Sequence, residues 1–500
     1  MDRRWWTLVA VCVATFMLLL DITIVNVALP EIERDLGASF SDLQWVIDAY
    51  ALTLAAALLT GGSLADLYGR RLVFLIGIGV FTFASLLCAL AGTATVLNLA
   101  RALQGVGGAL MFATSLALLA SAFQGRDRGT AFGVWGATTG ASVAVGPLVG
   151  GVLTDGIGWE AIFLVNIPIG LGAIAMTLAK VDESRDPHEG RVDLPGFITF
   201  SGALGLLIFG LIRGNTEGWA SGLIVGMLAG AVVLLTLFVV IELRREHPML
   251  ELSLFRKPAF IGASIAAFVL SASMFSMFLY ITLYIQNILD YTALEAGLRF
   301  LPITLLSFAF APLSGKLAER FGVRWFMGGG LALVGIGLLL MRGLEAGDDW
   351  TALLAGFLIA GAGIGLVNPA LATAAVGVVE PRRAGMASGI NSTFRQVGIA
   401  TGIAGLGAIF QHVAATDFKA ALAGTPLGRE LPIQNESTAD IANLISFGGA
   451  KGGGPELTRV AEQAFVGGLN DIFLYAALLA FAGAALAAAL TRPGDFVAHG

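Results

Sequence analysis

The stretch "LLLDITIVNVALP", residues 18–30, places Asp21 in a run otherwise suited to hydrocarbon. A charge at the centre of a membrane helix costs about 2.5–3.5 kcal/mol on insertion scales, so a carboxylate there calls for a use that Asn or Leu could not serve. The chemistry open to one shielded acid is to bind and release a proton. Burial favours the neutral acid and a neighbouring cation favours the carboxylate, so altering that balance alters proton occupancy. Arg101 is the candidate neighbour. It lies roughly one and a half turns inside the outer end of its apolar span, Asp21 a little over two turns inside its own, and at about 1.5 Å per residue the two depths nearly agree. A static ion pair fixing helix packing is the alternative. Asp48, near Trp45, is a second carboxylate available to protons or a cationic substrate, or an interfacial residue. Arg395 lies deep in a late span with Asn391 one turn earlier on the same face, and no acid of the second half is deep enough to partner it. It is left to bond helix carbonyls, to pair across a cavity, or to meet an acidic substrate group.

The elements that must hold these residues follow from composition. Of 500 residues 57% are hydrophobic and 13% charged, and mean hydropathy is +0.84. Such a chain is an integral membrane protein. Apolar stretches of helix-spanning length recur throughout without the short alternation of an outer-membrane barrel, which leaves a helical bundle. The pattern predicts spans at 7–29, 45–66, 73–93, 97–121, 130–154, 160–180, 194–212, 220–242, 259–288, 296–318, 325–342, 351–378, 384–411 and 464–490. The first is too long, and too polar at its end, for a cleaved signal. Lys and Arg concentrate on the side of both termini, Arg70, Arg71, Arg126, Arg128, Arg244, Arg245, Arg382 and Arg383 among them, which puts the termini in the cytoplasm. Cys12 and Cys88 fall inside predicted helices, and His188, His247, His412 and His499 in loops without ligand spacing, which argues against disulfides and metal sites.

"GSLADLYGRRL" at 62–72 returns as "GKLAERFGVRW" at 315–325, an offset of 253 residues, and "GRDRGTAFGVWG" at 125–136 is echoed by "EPRRAGMASGIN" at 380–391, where Gly129 and Gly133 match Gly385 and Gly389 at an offset of 256. Two equivalent six-helix halves are implied, 1–180 and 259–500, with two inserted helices in 181–258 and substrate between the halves near mid-membrane. A long polar external loop at 412–463 is a lid, a partner contact or disorder. Gly62, Asp66, Gly69, Arg70 and Arg71, echoed by Gly315, Glu319 and Gly322, read as a gating loop or as a basic anchor with a glycine turn. Asp66 would cap the following helix or pair with arginine across the halves. Gly140, Gly146, Pro147, Gly150 and Gly151 strip side chains from one helix and permit close approach and a bend. Met274, Met277, Phe278, Tyr280 and Tyr284 mix soft and aromatic groups, suited either to a repacking cavity or to lipid.

"GSLADLYGRRL" resembles the signature loop of the major facilitator superfamily, and "LDITIVNVALP" the first-helix signature of its fourteen-helix drug:proton antiporters. "RALQGVGGA" at 101–109 and "GASVAVGPLVGG" at 140–151 resemble the family's fourth-helix arginine motif and fifth-helix antiporter motif. "GWEAIFLVNIPIG" and "FRQVGIATG" share its look, with the departure that Glu160 stands where arginine is usual. The resemblance implies the major facilitator fold and proton-coupled export of amphipathic drugs, antibiotics or metabolites by alternating access. Asp21, Arg101 and Asp48 are the candidates for proton coupling, and Asn26 and Gln104 join Met274, Met277, Phe278, Tyr280, Tyr284, Asn391 and Arg395 as substrate-cavity candidates. An importer or narrow permease of the same fold is the alternative, and a membrane enzyme or scaffold a remoter one. No nucleophile elbow, HExxH or Walker loop occurs, so no cofactor or direct ATP drive is expected. Expected partners are small amphipathic substrates, protons and the lipid bilayer, with no nucleic acid. A monomer in a bacterial cytoplasmic membrane is expected, and an accessory envelope protein is left open.

Overall fold

Apolar runs without water to bond their backbone must satisfy it internally, and every regular element among the described residues is a helix. The computed structural model describes residues 2–38, 40–184, 193–245, 248, 250–380, 384–423, 436, 438–446 and 453–491. The first half comprises α1 (Arg3–Leu36), α2 (Phe40–Tyr68), α3 (Arg70–Ala89), α4 (Ala94–Ala122), α5 (Gly125–Gly156), the short α6 (Ala161–Leu164) and α7 (Asn166–Lys180). An inserted pair follows, α8 (Leu194–Glu217) and α9 (Gly222–Glu242). The second half runs through α10 (Pro258–Leu270), α11 (Ser276–Leu283), α12 (Ala293–Arg299), α13 (Leu301–Phe321), α14 (Val323–Leu340), α15 (Leu354–Gly377), α16 (Ala384–Leu422), α17 (Thr438–Ser446) and α18 (Pro455–Leu490). Side-chain caps start several of them: Thr93, Asp193 and Ser221 accept from the N–H groups of Val96, Gly196 and Ile224.

Among the described residues, thirteen segments are long and apolar enough to cross a membrane. The remaining predicted span, 130–154, lies on α5, whose 32 residues reach about 48 Å, ample to cross a bilayer. Two expected boundaries change. Residues 412–463 are not one loop, because α16 continues to Leu422 and α18 begins at Pro455. The reason is an apolar stripe: Ala414, Ala415, Phe418 and Leu422 pack with Ile441 and Ile445 of α17 and Leu457 of α18. Residues 424–435, 437 and 447–452 lie outside the described set, as do His188, His247, His499, Arg382 and Arg383.

The internal repeat is carried into packing. Gly62 on α2 meets the backbone of Gly385 on α16, and Gly315 on α13 meets the backbone of Gly129 on α5, so closely that a Cβ at Gly62, Gly129 or Gly315 would strike the partner's carbonyl. These two seams join the halves at the face holding the start of α1 and the end of α18, called here the terminal face. Gly69 (φ +115°) and Gly322 (φ +91°) turn the chain after α2 and α13 in a conformation that side chains disfavour. The inserted pair covers the α2/α16 seam: Leu204 and Ile208 of α8 pack with Ala55 and Ala400, and Phe238 of α9 with Leu59 and Met386.

Candidate functional site

Five helices converge on Asp21. Its carboxylate is fully buried, as is Arg101 of α4 at 1% exposure, and Arg101 Nη1 donates to Oδ2 at 2.5 Å. Oδ1 accepts from Gln104 Nε2 and from Asn166 Nδ2 of α7, each at 2.8 Å. Ser85 of α3 accepts from Gln104 at 2.8 Å and from Asn166 at 3.3 Å. The guanidinium also donates to Gln104 Oε1 at 2.7 Å and, through Nε, to the carbonyl of Val46 on α2 at 2.9 Å. Its Cζ stands 4.2 Å from the Tyr50 ring centroid, a contact worth about 2 kcal/mol when desolvated. Three N–H donors thus compensate a charge that burial penalises, and the arginine keeps other partners should the acid be neutralised. Gln104, expected on a cavity wall, is instead a fully buried member of this network. Asn166 and Ser85 were not anticipated; the signal for Asn166 was one amide in the apolar run "FLVNIPIG".

Asp48 has a partner that the sequence did not suggest. Its Oδ2 lies 3.6 Å from Nε of Arg213 on the inserted α8, beside Trp45, whose ring lies 4.9 Å from the Arg213 Cζ. The pair is separate from the Asp21 cluster and ties the first half to the inserted helices.

The gating loop differs from expectation in which group crosses the seam. Asp66, 2% exposed, caps α16 of the other half rather than the helix that follows it: its two oxygens accept from the N–H groups of Gly385 (3.0 Å) and Met386 (2.8 Å). Exposed N–H groups and the helix dipole make such a first turn a place for an anion. Its arginine partner, Arg70 at 2.8 Å, is four residues away in the same loop. Arg71 donates to the Leu178 carbonyl of α7, again within the first half. The side chain of Glu319, the acid of the second copy, lies outside the described residues, as do those of Asn26 and Pro147.

Helix α5 faces two ways. Gly133 meets Ala311 of α13, Gly136 meets Asn368 and Pro369 of α15, and a Cβ on Gly140 would sit 3.2 Å from Ser307 Oγ. Further along, Gly146 meets Thr23 and Gly150 meets Ile24, two and three residues beyond Asp21; Gly151 is buried.

In the second half, Met274, Met277 and Tyr284 are buried within the bundle core, with Phe278 packed against it. In this arrangement they face the packed core of the second half. The Tyr280 hydroxyl donates to the Ile403 carbonyl and that of Tyr284 to the Asp348 carbonyl, which turns both rings inward. Periodicity could mark these residues as non-polar-facing but not say whether they met core, cavity or lipid. Arg395 is 6% exposed and donates to Asn368 Oδ1 at 2.8 Å and Asn391 Oδ1 at 3.4 Å.

Known proteins share this architecture. Residues 11–403 match the family model described as Major Facilitator Superfamily. The chain is 38% identical over 404 residues to the multidrug resistance protein Stp of Mycobacterium tuberculosis, covering 81% of this chain and 75% of that one. It is 32% identical over 490 residues to the tetracenomycin C resistance and export protein of Streptomyces glaucescens, covering 97% and 91%. A probable actinorhodin transporter of Streptomyces coelicolor is 36% identical over 465 residues, covering 89% and 79%. Among solved structures, the human organic anion transporter MFSD10 superposes with a TM-score of 0.60 at 14% identity, over 96% of this chain and all of that one, and so speaks to the fold alone. With its family-model match and its relatives, this multi-pass membrane chain belongs to the Major Facilitator Superfamily.

Proposed function

We propose that the chain is an antiporter that exports amphipathic small molecules, antibiotics among them, across the cytoplasmic membrane in exchange for protons, with both termini in the cytoplasm. Relatives named for multidrug resistance and for antibiotic resistance and export support the substrate class. The coupling rests on one observation: a fully buried Asp21 held by Arg101, Gln104 and Asn166. Ionised, the carboxylate ties α1 to α4 and α7. Protonated, it no longer balances Arg101, which falls back on the Val46 carbonyl, Gln104 Oε1 and the Tyr50 ring. The turn of α1 that follows is packed on α5 through Gly146 and Gly150, and α5 lies along the second half through Gly129 to Gly140. Motion at Asp21 therefore reaches the seam between the halves through one glycine-lined helix, and proton binding biases which face opens. No cofactor is required.

The test is flux in proteoliposomes under an imposed pH gradient. Asp21→Asn is expected to bind substrate while losing gradient-driven transport. Undiminished uphill transport by this variant would remove Asp21 from coupling. Everted vesicles decide direction: accumulation driven by an acid interior fits export, and a strict need for the opposite gradient refutes it.

A further inference from the structure

Two buried arginines in the first half have carboxylates, Arg101 with Asp21 and Arg70 with Asp66. Arg395 does not: no carboxylate oxygen lies within 4 Å of it among the described residues, and its acceptors are the neutral amide oxygens of Asn368 and Asn391. It stands about 16 Å along α16 from the helix start, deep in the bundle. An arginine donates and never accepts, so both amides must turn their oxygens toward it and their Nδ2 groups away. Those two Nδ2 groups are buried without a hydrogen-bond partner among the described residues. The Oγ of Ser307 on α13 is likewise unpartnered, and it faces Gly140 of α5. Gly136 of α5, in the other half, sits against Asn368. A net positive charge and two sets of amide N–H donors are thus gathered at the seam where the halves part. Beside them, Phe112 and Trp135 of the first half belong to an apolar cluster that runs across the seam to Ala372 and Val376.

Donors without acceptors repel a cation and suit an oxygen that brings negative charge. Building on the export reading above, we propose that Arg395, Asn368 and Asn391 bind an acidic oxygen of the transported molecule, a carboxylate, phenolate or enolate, while its apolar body lies against the Phe112–Trp135 wall. The preferred substrates are then amphipathic anions.

Three probes that share one apolar body isolate the charge: 1-pyrenebutyrate, 1-pyrenebutanol and 1-pyrenebutylamine. Equilibrium dialysis of the purified full-length protein, against protein-free micelles as the partition control, is expected to give at least about tenfold tighter binding of the acid than of the alcohol, and weakest binding of the amine. Arg395→Met is expected to bring acid and alcohol to equal affinity, and Asn391→Leu to narrow the gap by several-fold. Equal binding of the three probes by the unmodified protein overturns the proposal without any variant, as does a preference for the acid that survives Arg395→Met. Gradient-driven export of the alcohol separates the two readings. If the alcohol moves uphill and the acid is not preferred, only the anion site fails; if the gradient moves no probe, the antiport reading fails first.

Discussion

Asp21 and Arg101 stand out in the sequence because a charge in an apolar run is expensive, and expense is visible one residue at a time. Their neutral partners are not visible in that way. Gln104, Asn166 and Ser85 differ from ordinary helix polar residues only by where five helices bring them. The structure ranks them. Asn166→Leu removes one of two donors to Asp21 Oδ1, and a hydrogen bond to a charged group contributes about 1.5–3 kcal/mol. Gln104→Leu removes the other donor, the Arg101 acceptor and a bond to Ser85 together. Thermal unfolding of the purified protein, followed by its native tryptophans, is expected to place Gln104→Leu lowest, Asn166→Leu between, and the unmodified chain highest. Equal midpoints for the two variants would mean that the amides do not act as one network. Arg395 was equally conspicuous, but Asn368, which holds it, was hidden for the same reason as Asn166.

At the scale of elements, the spacing of small residues in α5 was legible as a close-packing helix, whereas the identity of its neighbours was not. Glycine removes bulk on whichever face it lies, and only tertiary placement assigns Gly136 to α15 and Gly146 to α1. The same limit explains why the methionines and tyrosines of 274–284 were expected at a cavity and are found in the second half's core. That placement makes a sharp contrast testable within one helix. A side chain at Gly146 would strike Thr23, next to the Asp21 turn, while the space around Gly156 at the end of α5 is open. Gly146→Leu is expected to lower gradient-driven transport at least about tenfold and to reduce the unfolding midpoint; Gly156→Leu is expected to leave both near the original values. Overpacking in a well-filled site costs about 1–3 kcal/mol, enough to account for the first outcome. Normal transport by Gly146→Leu would show that α1 and α5 need not stay in contact during the cycle.

The whole molecule repeats its packing but not its chemistry. Gly77 against Gly107 recurs as Gly330 against Gly363, and Gly105 against Tyr50 as Gly361 against Ile303, at the same 253- and 256-residue offsets that the loops display. At those offsets Asp21 corresponds to Met274, and Phe112, Trp135 and Thr139 to Asn368, Asn391 and Arg395. Each half therefore has its own polar centre, the first near α1 and α4, the second on α15 and α16, where the matching positions of the other half carry no charge. Two different centres sit on one symmetric frame, and Asp66 bridges the seam between the halves at the terminal face. Asp66→Ala takes the acceptor from two N–H groups of α16 across the seam; a hydrogen bond to a charged group contributes about 1.5–3 kcal/mol, so losing even one shifts a closed-to-open ratio by roughly one to two powers of ten. Tyr68 and Phe321, the last residues of α2 and α13 on opposite halves, are 53% and 57% exposed and can carry spin labels once Cys12 and Cys88 are replaced. Pulsed electron resonance is expected to find the label separation displaced to longer distances by Asp66→Ala. Arg71→Ala, whose guanidinium bonds only the Leu178 carbonyl of its own half among the contacts described above, should leave the distribution in place. If both variants keep the original distribution, the Asp66 bridge does not hold the terminal face shut, and the closure must be assigned to the glycine contacts at Gly62–Gly385 and Gly129–Gly315 alone.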